Sequence, residues 1–105
     1  MSRIMMQRKD KPKPQQPPLK TLWRAAIDDH PIGLAWSPDG NLLAVAGVSG
    51  PITLHDGANG AVRHSLAGHT LDTMAISWHK DSRVIASVGQ DGRVRLWDVV
   101  AGTQI

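Results

Sequence analysis

His69, Ser87 and Asp91 supply an imidazole, a hydroxyl and a carboxylate, the three residue types of a nucleophilic triad. In such a triad the imidazole takes the hydroxyl proton and the carboxylate orients the imidazole. The local sequence argues against that chemistry here. Ser87 lies inside Val84-Ile85-Ala86-Ser87-Val88, an apolar run that reads as a strand, and no Gly-x-Ser-x-Gly turn lifts it to a surface.

Other site chemistries find less support. His30, His55, His64, His69 and His79 show no metal-ligand spacing, and there is no cysteine, so neither a thiolate site nor a disulfide is available. Asp56-Gly57-Ala58-Asn59-Gly60 lacks the order of a calcium loop and is not followed by the Gly-Lys-[Ser/Thr] of a phosphate loop. No catalytic residue, metal or cofactor is assigned. His55 reads as a core residue, and His64 and His79 as strand-edge and turn positions.

The elements that position these residues are set by an internal repeat. Trp36, Asp39, Ala44, Gly47, Gly50, Leu54, Asp56 and Gly60 return at one ungapped offset as Trp78, Asp81, Ala86, Gly89, Gly92, Leu96, Asp98 and Gly102. A period in this range marks an array of one supersecondary unit that cannot bury its apolar face alone. Short β-type runs alternate with turn signals. The predicted strands are Leu22–Ile27, Gly33–Trp36, Leu42–Ala46, Ile52–His55 and Ala61–Leu66, then Thr73–Trp78, Val84–Val88, Val94–Trp97 and a start at Thr103. Ser37-Pro38-Asp39-Gly40 and Gln90-Asp91-Gly92 read as turns. Leu42–Ala46 is continuously apolar, as in a strand covered on both faces, whereas Val94 and Leu96 alternate with Arg93 and Arg95, as in a strand nearer the surface. Sheets stacked face to face are expected, with no helix.

Residues 1–20 form a basic, proline-rich tail that reads as disordered, with Pro14-x-x-Pro17 as a formal proline-motif match. The tail carries +5 and the remainder −2, which together give the +3 net charge. Residues 21–105 are mildly acidic and present no nucleic-acid face. Neither a secretory signal nor a membrane-spanning stretch is visible, and a cytoplasmic location is expected.

Gly68-His69, Ile76-Ser77-Trp78-His79-Lys80-Asp81 and Asp91-Gly92-Arg93-Val94-Arg95-Leu96-Trp97-Asp98 together resemble the WD40 β-propeller family. The resemblance implies an all-β fold of two four-stranded antiparallel blades, the second incomplete, over residues 21–105, with units at about 30–66 and 68–105. It also implies that His69, Ser87, Asp91 and Trp97 form the structural tetrad of that family, in which Asp accepts from an imidazole N–H, the second ring nitrogen meets the Ser hydroxyl and the Ser oxygen accepts from the indole N–H, a network that ties loops to strands. The first unit departs from the tetrad, with Val45, Ser49 and His55 at the matching positions, and is expected to hold by packing alone and to be the softer blade.

Propellers close with several blades, so two units read as an N-terminal fragment of a longer chain, with ring assembly from several copies as the second reading. Leu22–Ile27 then takes the place of the outer strand that closes the ring. The implied function is a non-catalytic protein–protein interaction scaffold with an unidentified protein partner. The alternative is a propeller attached to an enzyme or signalling protein whose catalytic part lies elsewhere. Partner contacts are expected on the loops His30–Ile32, Val48–Gly50, Thr70–Asp72 and Gln90–Gly92, chiefly at Leu71 and Gln90. Self-association through open blade edges is a further expectation.

Overall fold

The computed structural model describes residues 19–105. The expected disordered tail through residue 18, with its Pro14-x-x-Pro17 match, lies outside the described residues. Eight strands follow one another: β1 Pro31–Trp36, β2 Leu42–Gly47, β3 Ile52–Asp56, β4 Val62–Leu66, β5 Thr73–Trp78, β6 Val84–Gly89, β7 Val94–Asp98 and β8 Thr103–Gln104. They form two antiparallel sheets, β1-β2-β3-β4 and β5-β6-β7-β8. These are blade 1 and blade 2.

The sequence offset reappears as a hydrogen-bond register. Ala35 faces Ala44 and Leu43 faces His55 in blade 1; Ser77 faces Ala86 and Ile85 faces Trp97 in blade 2. Even the irregularity between Pro31 and Gly33 in β1 recurs between Thr73 and Ala75 in β5. The turns are held by the residues that predict them. In the β1–β2 turn the Asp39 carboxylate accepts from the Ser37 hydroxyl (2.7 Å) and the Asn41 N–H (2.9 Å), which are local bonds typical of Asx turns.

The core lies between the sheets. Ala44, Ile52, Leu54 and Leu66 of blade 1 pack against Ile85, Trp97 and Val99 of blade 2, with Ile76 and Trp78 beside them. Small β2 residues at the contact let the sheets approach closely. Fully burying a side chain such as Leu54 stabilises by about 1.5–3 kcal/mol, so this seam carries most of the apolar driving force. Polar bonds fix its register. The Trp78 indole N–H donates to the Ala35 carbonyl (3.0 Å). The Gly50 carbonyl accepts from the His69 N–H (3.3 Å) and from the Thr73 hydroxyl.

One expectation is corrected. Leu22–Ile27 is not a strand. A strand needs a backbone partner, and the segment has none. It is anchored instead through Trp23, whose indole N–H donates to the Gly57 carbonyl (3.0 Å) and whose ring stacks on His55 at 6.5 Å, almost parallel. Trp23 lies against Gly60 just as His64 of β4 lies against Gly102. The segment therefore occupies the position that an outer strand takes beside the following blade. β7 lies near the surface: Val94 and Leu96 share an exposed face, while Trp97 on the opposite face is buried.

Candidate functional site

Blade 2 brings His69, Ser87, Asp91 and Trp97 together. His69 sits in the β4–β5 loop, Ser87 in the middle of β6, Asp91 in the β6–β7 turn and Trp97 on β7. Glycine makes room for the imidazole: a Cβ on Gly89 would lie 2.5 Å from the His69 ring. His69 Nδ1 is 2.9 Å from Asp91 Oδ1, His69 Nε2 is 2.8 Å from Ser87 Oγ, and Trp97 Nε1 is 2.8 Å from the same Oγ. Proton positions follow from donor capacity. An indole N–H can only donate and a carboxylate only accept, so Nδ1 carries the proton and Nε2 accepts from the Ser87 hydroxyl.

The order Asp–His–Ser is that of a hydrolase triad, but the serine is used up. Its single proton goes to His69, its oxygen accepts from Trp97, and the residue is 1% exposed. A carbonyl substrate has no approach to Oγ. What the arrangement does instead is fasten the β4–β5 loop and the β6–β7 turn to the two central strands. The Asp91 carboxylate also accepts from the Arg93 N–H (3.0 Å) and pairs with the Arg95 guanidinium at 3.7 Å.

Blade 1 has its own clamp, which corrects the expectation that it holds by packing alone. The repeat offset places Ile27 opposite His69, with His30 three residues further on. The structure puts Asp29 there: a Cβ on Gly47 would meet the Asp29 carboxyl, as one on Gly89 would meet His69. The Asp29 carboxylate accepts from the Ser49 N–H (3.0 Å) and the Ser49 hydroxyl (2.8 Å). Acceptor and donor have changed places between loop and turn. His55, standing for Trp97, is buried with Nδ1 3.1 Å from the Gly60 carbonyl and Nε2 3.0 Å from the Thr53 hydroxyl.

Carboxylates dominate the turn chemistry and set an acid limit. Asp91 is pushed up by desolvation, but the Arg93 N–H and His69 outweigh this and hold it below the usual range. In Asp29 desolvation is likewise overcome, by Ser49. Asp56, Asp81 and Asp98 are lowered chiefly by the N–H groups of Ala58, Arg83 and Ala101, and Asp39 chiefly by the Ser37 hydroxyl. Each binds its proton more weakly folded than unfolded, so the unfolded chain takes up more protons as pH falls. Their contribution is complete above the ordinary carboxylate value of about 3.9 and declines as pH drops through and below it. Denaturant midpoints should be flat in this respect near neutrality and fall steeply in the acid range; an acid-insensitive midpoint would contradict the carboxylate network.

Above the tetrad lie the two residues expected to meet partners. Leu71 is 52% exposed at the tip of the β4–β5 loop. Gln90 is braced across to the same loop: its amide Nε2 donates to the Asp72 carboxylate (3.0 Å) and its N–H to the Asp72 carbonyl (3.2 Å). Asp29 and Trp23 are the structural residues that the sequence did not single out. The glycine pairs Gly47/Gly89 and Gly60/Gly102 were the available signal, since at each a side chain packs where a Cβ would stand.

The family model described as WD domain, G-beta repeat, matches residues 19–50 and 60–98. WD repeat-containing protein 1 of Gallus gallus is 34% identical over 95 residues, covering 85% of this chain and 15% of that protein. The Xenopus tropicalis protein of the same name is 38% identical over 73 residues, covering 67% and 12%. The chain thus spans a small part of these relatives. Among solved structures, the β-propeller domain of Cps50 (Swd1) from Myceliophteria thermophila superposes with a TM-score of 0.69 at 27% identity, covering 73% of this chain and 24% of that one. The repeat, the paired blades, the tetrad and the matched family model lead to one conclusion: the chain belongs to the WD40 repeat family.

Proposed function

We propose that this chain is a non-catalytic interaction module that offers its loop rim to a protein partner, in the cytoplasm. The observation that carries this reading is the closed state of the tetrad. The Ser87 hydroxyl is engaged by both His69 and Trp97, and the network ties the β4–β5 loop and the β6–β7 turn to β6 and β7, which leaves Leu71 and Gln90 on a braced platform. A preformed surface loses less conformational entropy on binding, and membership of a family whose propellers mostly serve as interaction platforms supports the same reading. The activity of any longer protein containing these blades is a separate matter.

Two measurements test it. Cross-linking of the chain in a cell extract, followed by mass spectrometry, should yield a protein set that a Leu71→Ser/Gln90→Ala variant loses; an unchanged set removes the rim from consideration. Hydrolysis of an activated ester should be no faster with the wild-type chain than with Ser87→Ala. A Ser87-dependent rate would replace the scaffold reading with a triad.

A further inference from the structure

We propose that Asn59 is a site of non-enzymatic deamidation, and that its conversion to isoaspartate releases the segment that Trp23 fastens to blade 1. The reaction needs only solvent. The Gly60 nitrogen gives its proton to solvent base and attacks Asn59 Cγ. A C–N bond forms, the Cγ–Nδ2 bond breaks, and ammonia leaves behind a cyclic imide. Water then opens the imide. Cleavage of the nitrogen's bond to Cγ gives aspartate. Cleavage of its bond to the main-chain carbonyl carbon gives isoaspartate, whose backbone runs through Cβ and Cγ and is one carbon longer.

The chain has four steps at which Asp or Asn precedes glycine: Asp39-Gly40, Asp56-Gly57, Asn59-Gly60 and Asp91-Gly92. Glycine favours the attack because no side chain crowds its nitrogen. The structure singles out one of the four. An ionised carboxylate is a poor electrophile, and the three aspartates are held ionised. Asp39 accepts from the Ser37 hydroxyl and the Asn41 N–H, Asp56 from the Ala58 N–H and Arg63, and Asp91 from His69 and the Arg93 N–H. Asn59 instead carries a neutral amide on an exposed turn. Its Oδ1 accepts from the Ala61 N–H (2.9 Å), an Asx-turn bond that draws electron density from Cγ. The other asparagine, Asn41, precedes Leu42, whose side chain shields its nitrogen and whose N–H donates to the Ser37 hydroxyl oxygen (3.0 Å). Blade 2 has Ala101 at the position of Asn59, so it does not repeat the site.

The same turn is the anchor of the N-terminal segment. The Trp23 indole N–H donates to the Gly57 carbonyl (3.0 Å), its ring stacks on His55, and a Cβ on Gly60 would lie 2.4 Å from that ring. Gly60 is itself pinned: its N–H donates to the Asp56 carbonyl (2.8 Å) and its carbonyl accepts from His55 Nδ1 (3.1 Å). A backbone one carbon longer between residues 59 and 60 cannot keep Gly60 on both partners while the indole packs against it. Trp23, held by no sheet, is the group that gives way. The Gly60 N–H bond also sets the pace. The nitrogen must leave the Asp56 carbonyl before it attacks, so the folded chain converts more slowly than the unfolded one.

The test is to age the whole chain in mildly alkaline buffer, with and without urea, and to follow residue 59 by peptide mass spectrometry. Conversion of the Asn59 amide to an acid is expected ahead of any change at Asn41 or isomerisation at the Asp-Gly steps, and severalfold faster in urea. Limited trypsin digestion then reads the release. Cleavage after Arg24, an exposed residue beside the Trp23 contact, should be severalfold faster in the aged chain than in the fresh one. Asn59→Gln keeps an amide but closes the imide poorly, and should gain no cleavage on ageing. Freshly prepared Asn59→Asp supplies the charge without the added carbon and should be cut as slowly as fresh wild type. An Asn59 still intact in the native chain at the end of the incubation would overturn the proposal. So would an aged chain cut no faster after Arg24, or a fresh Asn59→Asp chain cut as fast as the aged one.

Discussion

Replacing Trp97 by alanine should cost about 3–5 kcal/mol, the range for truncating a large core aromatic, and should be the most damaging of the side-chain truncations in the tetrad. Two losses add. The ring fills the seam between the blades beside Ile85 and Val99, and its N–H is the bond that occupies the Ser87 oxygen. Trp97→Phe separates them: it keeps most of the apolar contact and should cost about 1–3 kcal/mol, the range for leaving a buried polar group unpaired. His55→Ala, at the equivalent place in blade 1, should cost less than Trp97→Ala. That side chain is smaller and its bonds to Gly60 and Thr53 are local. Denaturant unfolding of the three variants gives the order. Equal losses at 97 and 55 would mean that blade 2 owes nothing particular to its tetrad.

The contrast between the two positions also explains what could be read from the chain. The strand ladder was legible because hydrophobic class recurs at one offset, and a register error of one residue would turn each strand inside out. The blade 2 network was legible because its four members lie at family spacing. Blade 1 was not. Its clamp exchanges an imidazole–carboxylate pair for a carboxylate–serine pair: Ser49 keeps the position of Asp91 but changes type, and Asp29 changes type and lies off the strict offset. The Leu22–Ile27 segment was misread for a different reason. Its composition suits a strand, but strand formation depends on a neighbouring backbone that composition does not encode.

The second large effect lies in the backbone at the blade junction. Gly50 has φ +117° and Gly68 φ +68°. A Cβ on Gly50 would fall 2.0 Å from the His69 carbonyl oxygen, and one on Gly68 would fall 1.8 Å from the Gly50 carbonyl oxygen. Both obstacles are main chain and cannot turn aside as a side-chain tip would. Alanine at either site therefore meets two penalties: about 1–3 kcal/mol for a non-glycine residue in a disfavoured backbone region, and about 1–3 kcal/mol more for overpacking. Gly40 and Gly92 provide the control, since they have φ +77° and +76° with open space where a Cβ would go. Gly40→Ala and Gly92→Ala should incur the conformational penalty alone. The difference between the two pairs, read from denaturant midpoints, isolates the close approach of the blades. That approach is also what lets the Gly50 carbonyl bond His69 and Thr73, so the junction glycines should loosen the loop that carries Leu71 along with the seam beneath it. If all four alanine variants lose the same stability, the blades are held by their side chains alone and the tight backbone crossing contributes nothing.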